Sequence, residues 1–198
     1  GIMLSNSDWV ALCDADDISY PTRLENQIKY IKQMGSSIGA LGTYAYYINE
    51  KNEPIGSVKT GPTTENEFKY LLAQNESIVL ADPSAMIHRQ SYIDVGGYRP
   101  EYTPAADLDL NYRLCEYGKQ VRTLPQFLLG YRIAPGSVSS SKTMFQRNKI
   151  HFINHNMRRR RRNLSEISYS EFQSYIKKKP FKRFKWFIRD HGMTYYRK

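Results

Sequence analysis

"WVALCDADDISYPTRLENQ", residues 9–27, decides how this chain is read. Trp9 to Cys13 is a short apolar run, and it stops abruptly at Asp14, Asp16 and Asp17, three carboxylates within four residues. A short apolar run ended by polar turn residues reads as a buried strand. Pro21 then opens a helix to about Met34, with Leu24, Ile28 and Ile31 on one face at i, i+4, i+7 spacing. The acids therefore sit at the carboxyl end of a strand, where open α/β sheets bind their ligands.

One of the three has an ordinary explanation as a turn or helix-cap residue accepting backbone N–H groups. Three do not, because each added charge brings repulsion that only a cation or a cluster of donors relieves. An EF-hand calcium loop places Glu25 at its twelfth position. It also places Ile18 and Ser19 at the fifth and sixth, where an oxygen ligand and a glycine are needed, so that loop is excluded. What remains beside the cap is a hard divalent cation, Mg²⁺ or Mn²⁺, held by one or two carboxylates and completed by phosphate oxygens of a substrate.

Further along, strand and helix patterns alternate, which indicates an α/β domain. Ile38 to Ile48 reads as a strand followed by a turn, and Thr64 to Ala73 as a helix capped by Thr64 with Glu67 three residues on. Ser84 to His88 reads as a strand, Gly96 to Pro100 as a loop, Asp107 to Tyr117 as a helix and Phe127 to Ile133 as a last strand. The two cysteines, Cys13 and Cys115, have neither metal nor redox spacing, and no apolar run is long enough to cross a bilayer. The charge is uneven. From Ser141 to Lys198 there are 17 Lys and Arg against 3 Asp and Glu, whereas residues 1–140 hold 12 against 16. An acidic body with a basic extension points to an anionic partner for the extension.

"DWVALCDADDISYPTRLENQ", then "DPSAMIHRQSYIDVGGYRPEYTPAADLDLNYRL" and "YRIAPGSVS", resemble in order and spacing the family 2 glycosyltransferases with the GT-A fold. The resemblance covers roughly residues 1–140, leaving 141–198 as a basic helical C-terminal extension. It implies a GT-A-like mixed sheet, a nucleotide-sugar donor (a UDP-sugar), a divalent cation, a glycan or lipid-linked acceptor and inversion at the sugar carbon. It places Asp14 near the nucleotide ribose and diphosphate and Asp16 on the metal, with Asp14 beside it. It makes Asp107 the general base, at the Asp of the family's Glu-Asp pair. In the first turn of a helix, Asp107 is expected to be held ionised by the macrodipole. It further implies that strands gripping the nucleotide base precede Gly1, so that the chain is a fragment.

Three positions depart from the family. Ala106 replaces the Glu of the pair, at N3 if Thr103 caps the helix. Ala134 stands where many relatives carry a metal-binding His, and Asp82 also stands where His is frequent. In the extension, Arg158 to Arg162 and a basic amphipathic helix from Pro180, with Phe181, Phe184, Phe187 and Ile188 in a stripe, read as peripheral binding to anionic lipid. That places the protein at the cytoplasmic face of the cell membrane. The alternative is that the stripe packs on the body. Two further classes stay open: a glycosyltransferase-like binding or scaffold protein, suggested by Ala106 and Ala134, and a nucleic-acid binder using the arginine run, ranked last because no nucleic-acid motif accompanies it.

Overall fold

The computed structural model describes residues 1–133 and 143–179. Its elements run β1 (Trp9–Ala11), β2 (Ile18–Ser19), α1 (Arg23–Met34), β3 (Ile38–Ile48), β4 (Pro54–Val58), α2 (Glu65–Ala73), β5 (Met86–His88), α3 (Arg89–Asp94), α4 (Ala106–Glu116), β6 (Gln120–Arg132), α5 (Thr143–Arg160) and α6 (Tyr169–Lys177). The α/β class read from the sequence is what forms. Among the described residues there is one mixed sheet, in the order β1-β5-β3-β6-β2, with β4 paired to the far half of β3. The central pair β3 and β6 is parallel, and the remaining pairings are antiparallel.

The two faces of the sheet bury different cores. On one face Ile31 of α1 packs with Ile38, Leu41, Met86, Leu124 and Leu128. On the other, Leu110, Leu114 and Cys115 of α4 and Phe68 of α2 pack on Ala40, Ile87 and Val121. Each buried Leu or Ile contributes about 1.5–3 kcal/mol, well above the worth of an exposed ion pair, so these contacts fix where α4 lies. The predicted cap of α2 is present as a full capping box. Thr64 Oγ accepts from the Glu67 N–H, and the Glu67 carboxylate accepts from the Thr64 N–H, both at 3.2 Å.

Three sequence expectations change. The buried face of α1 is Arg23, Gln27 and Ile31, while Leu24 is 48% exposed, because two polar side chains there satisfy carbonyls of the Asp82–Ser84 turn and of β3. The last strand is much longer than expected, beginning at Gln120. Its register against β3 jumps between Leu124 and Phe127, so Pro125, which lacks an N–H, falls at the irregularity. Helix α4 starts at Ala106 with Ala105 as its cap, so Thr103 and Pro104 precede the helix.

The C-terminal extension is no detached arm over its described length. Phe152, Ile153 and Met157 of α5 and Phe172 of α6 share a core with Tyr102, Leu108 and Tyr112. The arginine run is likewise drawn in. Arg159 Nε donates to the Ser165 carbonyl, Arg160 pairs with Glu116 and Glu166, and Arg161 donates to Asn75 and the Leu72 carbonyl. Only Arg158 and Arg162 of the five are exposed. The proposed amphipathic helix from Pro180, and Ala134, lie outside the described residues.

Candidate active site

The segment 12–17 connects strands at opposite ends of the strand order, so it crosses the end of the sheet. It is tied down at both ends. The Leu12 N–H donates to the Ala85 carbonyl at 2.8 Å, and the Leu12 carbonyl accepts from Arg23 Nη2 at 2.8 Å. Arg23 Nη1 donates to the Pro83 carbonyl at 2.9 Å, so one buried guanidinium holds the acidic segment and the Asp82–Ser84 turn together. Gln27 Nε2 adds bonds to the carbonyls of Leu41 and Ser84 at 2.8 and 2.9 Å. Ser84 Oγ accepts from the Thr43 N–H at 2.8 Å and donates to the Ala81 carbonyl at 2.7 Å. The Asp82 turn is therefore as firmly built as the strands beside it.

At the other end, the Arg132 N–H donates to Asp17 Oδ1 at 2.8 Å. The Arg132 side chain donates to the carbonyls of Asp16 (2.7 Å) and Asn49 (2.5 Å) and to Asn52 Oδ1 (2.6 Å). Asp17 is thus a latch between the acidic segment and the last strand, while Asp14 and Asp16 are exposed. One oxygen of Asp17 is satisfied by the backbone while its Oδ2 is buried without a hydrogen-bond partner, and the other two carboxylates face solvent.

The ionisation pattern brings the separated carboxylates into one field. Asp82 is pushed up to about 7 by its own burial, then by the charge of Asp107, then by that of Asp14, with the Tyr98 hydroxyl (3.5 Å from Asp82 Oδ1) acting the other way. Asp107 is also raised by burial, against the backbone N–H groups of Leu108 and its own residue. Asp14 is raised by burial and by the neighbouring charge of Asp16. Asp17 is raised by burial and by Asp14 and Asp16, with the Arg132 N–H opposing. Tyr98 is raised by burial and by the charges of Asp82 and Asp107. At Asp107 desolvation outweighs the favourable helix terminus, so its carboxyl lies above its ordinary value.

The charges of Asp107 and of Asp14 both act on Asp82, which stands electrostatically between the start of α4 and the acidic segment. Among the described residues no three His, Cys, Asp or Glu side chains converge as a ready metal cage. A pair of exposed, mutually repelling carboxylates instead fits a hard cation that takes most of its ligands from phosphate and water. Asp14 and Asp16 are the pair that would hold it.

The sequence reading missed Arg23, Gln27, Tyr98 and Arg132. The first two sat one residue off the apolar stripe, and the tyrosine and Arg132 had no local pattern to mark them. It also missed Asp109, two residues after Asp107, which is fully buried and held by Arg99 and Arg113.

A family model, described as glycosyltransferase like family 2, matches residues 1–185. The chain belongs to that family. Among curated relatives of this glycosyltransferase-family chain is an O-antigen biosynthesis glycosyltransferase, WbnJ, from Escherichia coli, 31% identical over 134 residues, which is 67% of this chain and 50% of that protein. Uncharacterized glycosyltransferases from Haemophilus influenzae (27% identical, 74% of this chain, 52% of that one) and Methanocaldococcus jannaschii (MJ1057, 26%, 67% and 44%) also match. The chain spans about half the length of the curated relatives it matches. A solved structure, the mannosyltransferase PcManGT from Pyrobaculum calidifontis in complex with GDP-Man and Mn2+, aligns at a TM-score of 0.49 with 16% identity, over 78% of this chain and 41% of that one.

Proposed function

We propose that the protein transfers a sugar from a nucleotide-sugar donor to an acceptor hydroxyl with inversion, using the carboxylates at the end of the sheet. The observation that supports this best is the shared field of Asp14, Asp82 and Asp107, which arrive from three separate parts of the chain. The acceptor oxygen attacks the anomeric carbon while Asp107 takes its proton, and the bond from that carbon to the diphosphate oxygen breaks. A base needs a carboxylate that holds a proton better than one in water does, and the burial of Asp107 supplies that. Asp14 and Asp16 would hold a divalent cation, which when bound neutralises charge growing on the departing nucleoside diphosphate. The Arg23 and Arg132 ties hold the backbone on either side of those two carboxylates, through the carbonyls of Leu12 and Asp16.

The likeness to WbnJ favours an acceptor in cell-surface polysaccharide or glycolipid synthesis. Among the described residues no helix is long and apolar enough to cross a membrane. A peripheral contact with anionic lipid, at the cytoplasmic face, draws on the exposed Arg158, Arg162 and Lys177–Lys179. Assays of the full-length protein with UDP- and GDP-sugars and Mn²⁺ test the proposal. Turnover abolished by Asp107→Asn supports it, and turnover left intact by that change refutes the base.

A binding-only reading draws on Ala106, whose methyl group occupies the first position of α4 where the family has Glu. Calorimetry with UDP separates the two readings: binding without turnover of any donor favours the second.

A further inference from the structure

We infer that Glu166, contributed by the C-terminal extension, is a positioning residue for the helix that carries Asp107, so that the extension is a working part of the site. This rests on Asp107 being the base. Glu166 lies between α5 and α6 and reaches back to the loop before α4. Its two oxygens accept from Arg99 Nη1 at 2.8 Å and Nη2 at 3.0 Å, and it also accepts from Arg160 and from the Tyr102 hydroxyl at 3.1 Å. The other edge of the Arg99 guanidinium donates to both oxygens of Asp109, at 2.9 and 2.5 Å. Asp109 sits two residues after Asp107 in the first turn of α4 and is closed off from solvent.

Arg113 completes the set. It pairs with Asp109 at 2.8 Å and donates to the carbonyls of Val95 and Gly97. Arg160 reaches Glu116 at 2.6 Å and Asp109 at 3.6 Å. Arg99, Arg113, Arg160 and, at 3.9 Å from Glu116, Arg161 face the three carboxylates Asp109, Glu116 and Glu166, so removing the charge of Glu166 deepens an existing excess of positive charge. Burial would raise the Glu166 carboxyl, yet Arg99 and Arg160 bring it below its ordinary value, as expected of a group committed to the ionised form.

The set has two routes to the site. Through Asp109 it fixes the first turn of α4, and with it the backbone N–H groups that Asp107 uses. Through Arg99 it fixes the adjacent Tyr98, whose hydroxyl meets Asp82. Buried charge sets of this kind add little net stability, but they tolerate one arrangement only. An exposed membrane-binding run has no need of these partners. Arg160 is used here for geometry.

Glu166→Gln in the full-length protein, read by amide hydrogen exchange, tests the inference without a substrate. The expected result is at least tenfold faster exchange at Gly97, Tyr98, Ala105, Leu108 and Leu110, with β3 and β6 unchanged. Arg158→Ala, an exposed change of the same run, leaves all of them unchanged. Tyr102→Phe, which takes one donor from Glu166 and one acceptor from Asn156 while leaving the arginine pairs of Glu166, gives a smaller effect at the same amides and serves if Glu166→Gln does not fold. Exchange that is unaltered, or faster uniformly through the sheet, overturns the inference. With a donor in hand, Glu166→Gln lowers kcat about tenfold at constant donor KM, whereas an unchanged kcat contradicts the inference. If Asp107→Asn alone leaves turnover intact, the base assignment fails while the exchange result still stands on its own.

Discussion

Replacing Arg23 by Met separates the structure from a reading of α1 by its apolar stripe. The stripe through Leu24, Ile28 and Ile31 puts Arg23 toward water, so Arg23→Met is then harmless and Leu24→Ala costly. The structure reverses the order. Arg23 is 2% exposed and its two donors satisfy the carbonyls of Leu12 and Pro83. Methionine fills a similar volume and leaves both acceptors unpaired, at about 1–3 kcal/mol each. Relief from burying a guanidinium offsets part of this, leaving a net loss of about 3 kcal/mol. For a chain of 198 residues that lowers Tm by about 6–12 °C. Leu24→Ala, at a 48% exposed position, stays within about 2 °C. Calorimetric melting of both variants is the assay. The acidic segment and the Asp82 turn also lose their common tether, so affinity for UDP with Mn²⁺ falls in Arg23→Met and holds in Leu24→Ala. An Arg23→Met melt unchanged from the parent, or a larger loss in Leu24→Ala, refutes the reasoning.

Other perturbations have equally definite outcomes. Asp82, raised from its ordinary value to about 7, contributes stability that is full below about pH 4 and lost as pH rises through about 7; the difference is at most about 4 kcal/mol, less for the solvent the side chain still meets. Mn²⁺ should therefore raise Tm more at pH 8 than at pH 5, and an equal rise at both counts against cation binding among these carboxylates. Asp109→Asn leaves Arg99 and Arg113 without their buried carboxylate and costs about 3–5 kcal/mol in denaturant unfolding. Gly97→Ala places a Cβ 2.8 Å from the Tyr92 ring at a backbone φ of +62°, and should cost about 1–3 kcal/mol by the same measurement.

What could be read in the sequence was what local pattern controls. The capping box of α2 and the strand Ile38–Ile48 follow from residues within a few positions of one another, and both formed at the expected places. The acidic segment was legible because carboxylates after an apolar strand have few explanations. The polar face of α1 was not, because Arg23 and Gln27 are buried by carbonyls up to 60 residues away, which no periodicity records. The arginine run misled for the same reason. Its partners Glu116, Glu166 and Asn75 lie outside the run, so a stretch that looks like a solvated basic surface is largely spent on internal pairing. Asp109 was overlooked because a carboxylate in a first helical turn needs no special explanation until its burial is seen.

The account depends on carboxylates from three segments sharing one field, and the titration of Asp82 reports that directly. Carboxyl ¹³C NMR of the metal-free protein should place the Asp82 midpoint near 7, and Asp107→Asn, which keeps the shape and removes the charge, should lower it clearly. A midpoint near 4 in the parent, or one that Asp107→Asn leaves unmoved, would contradict the arrangement of the site.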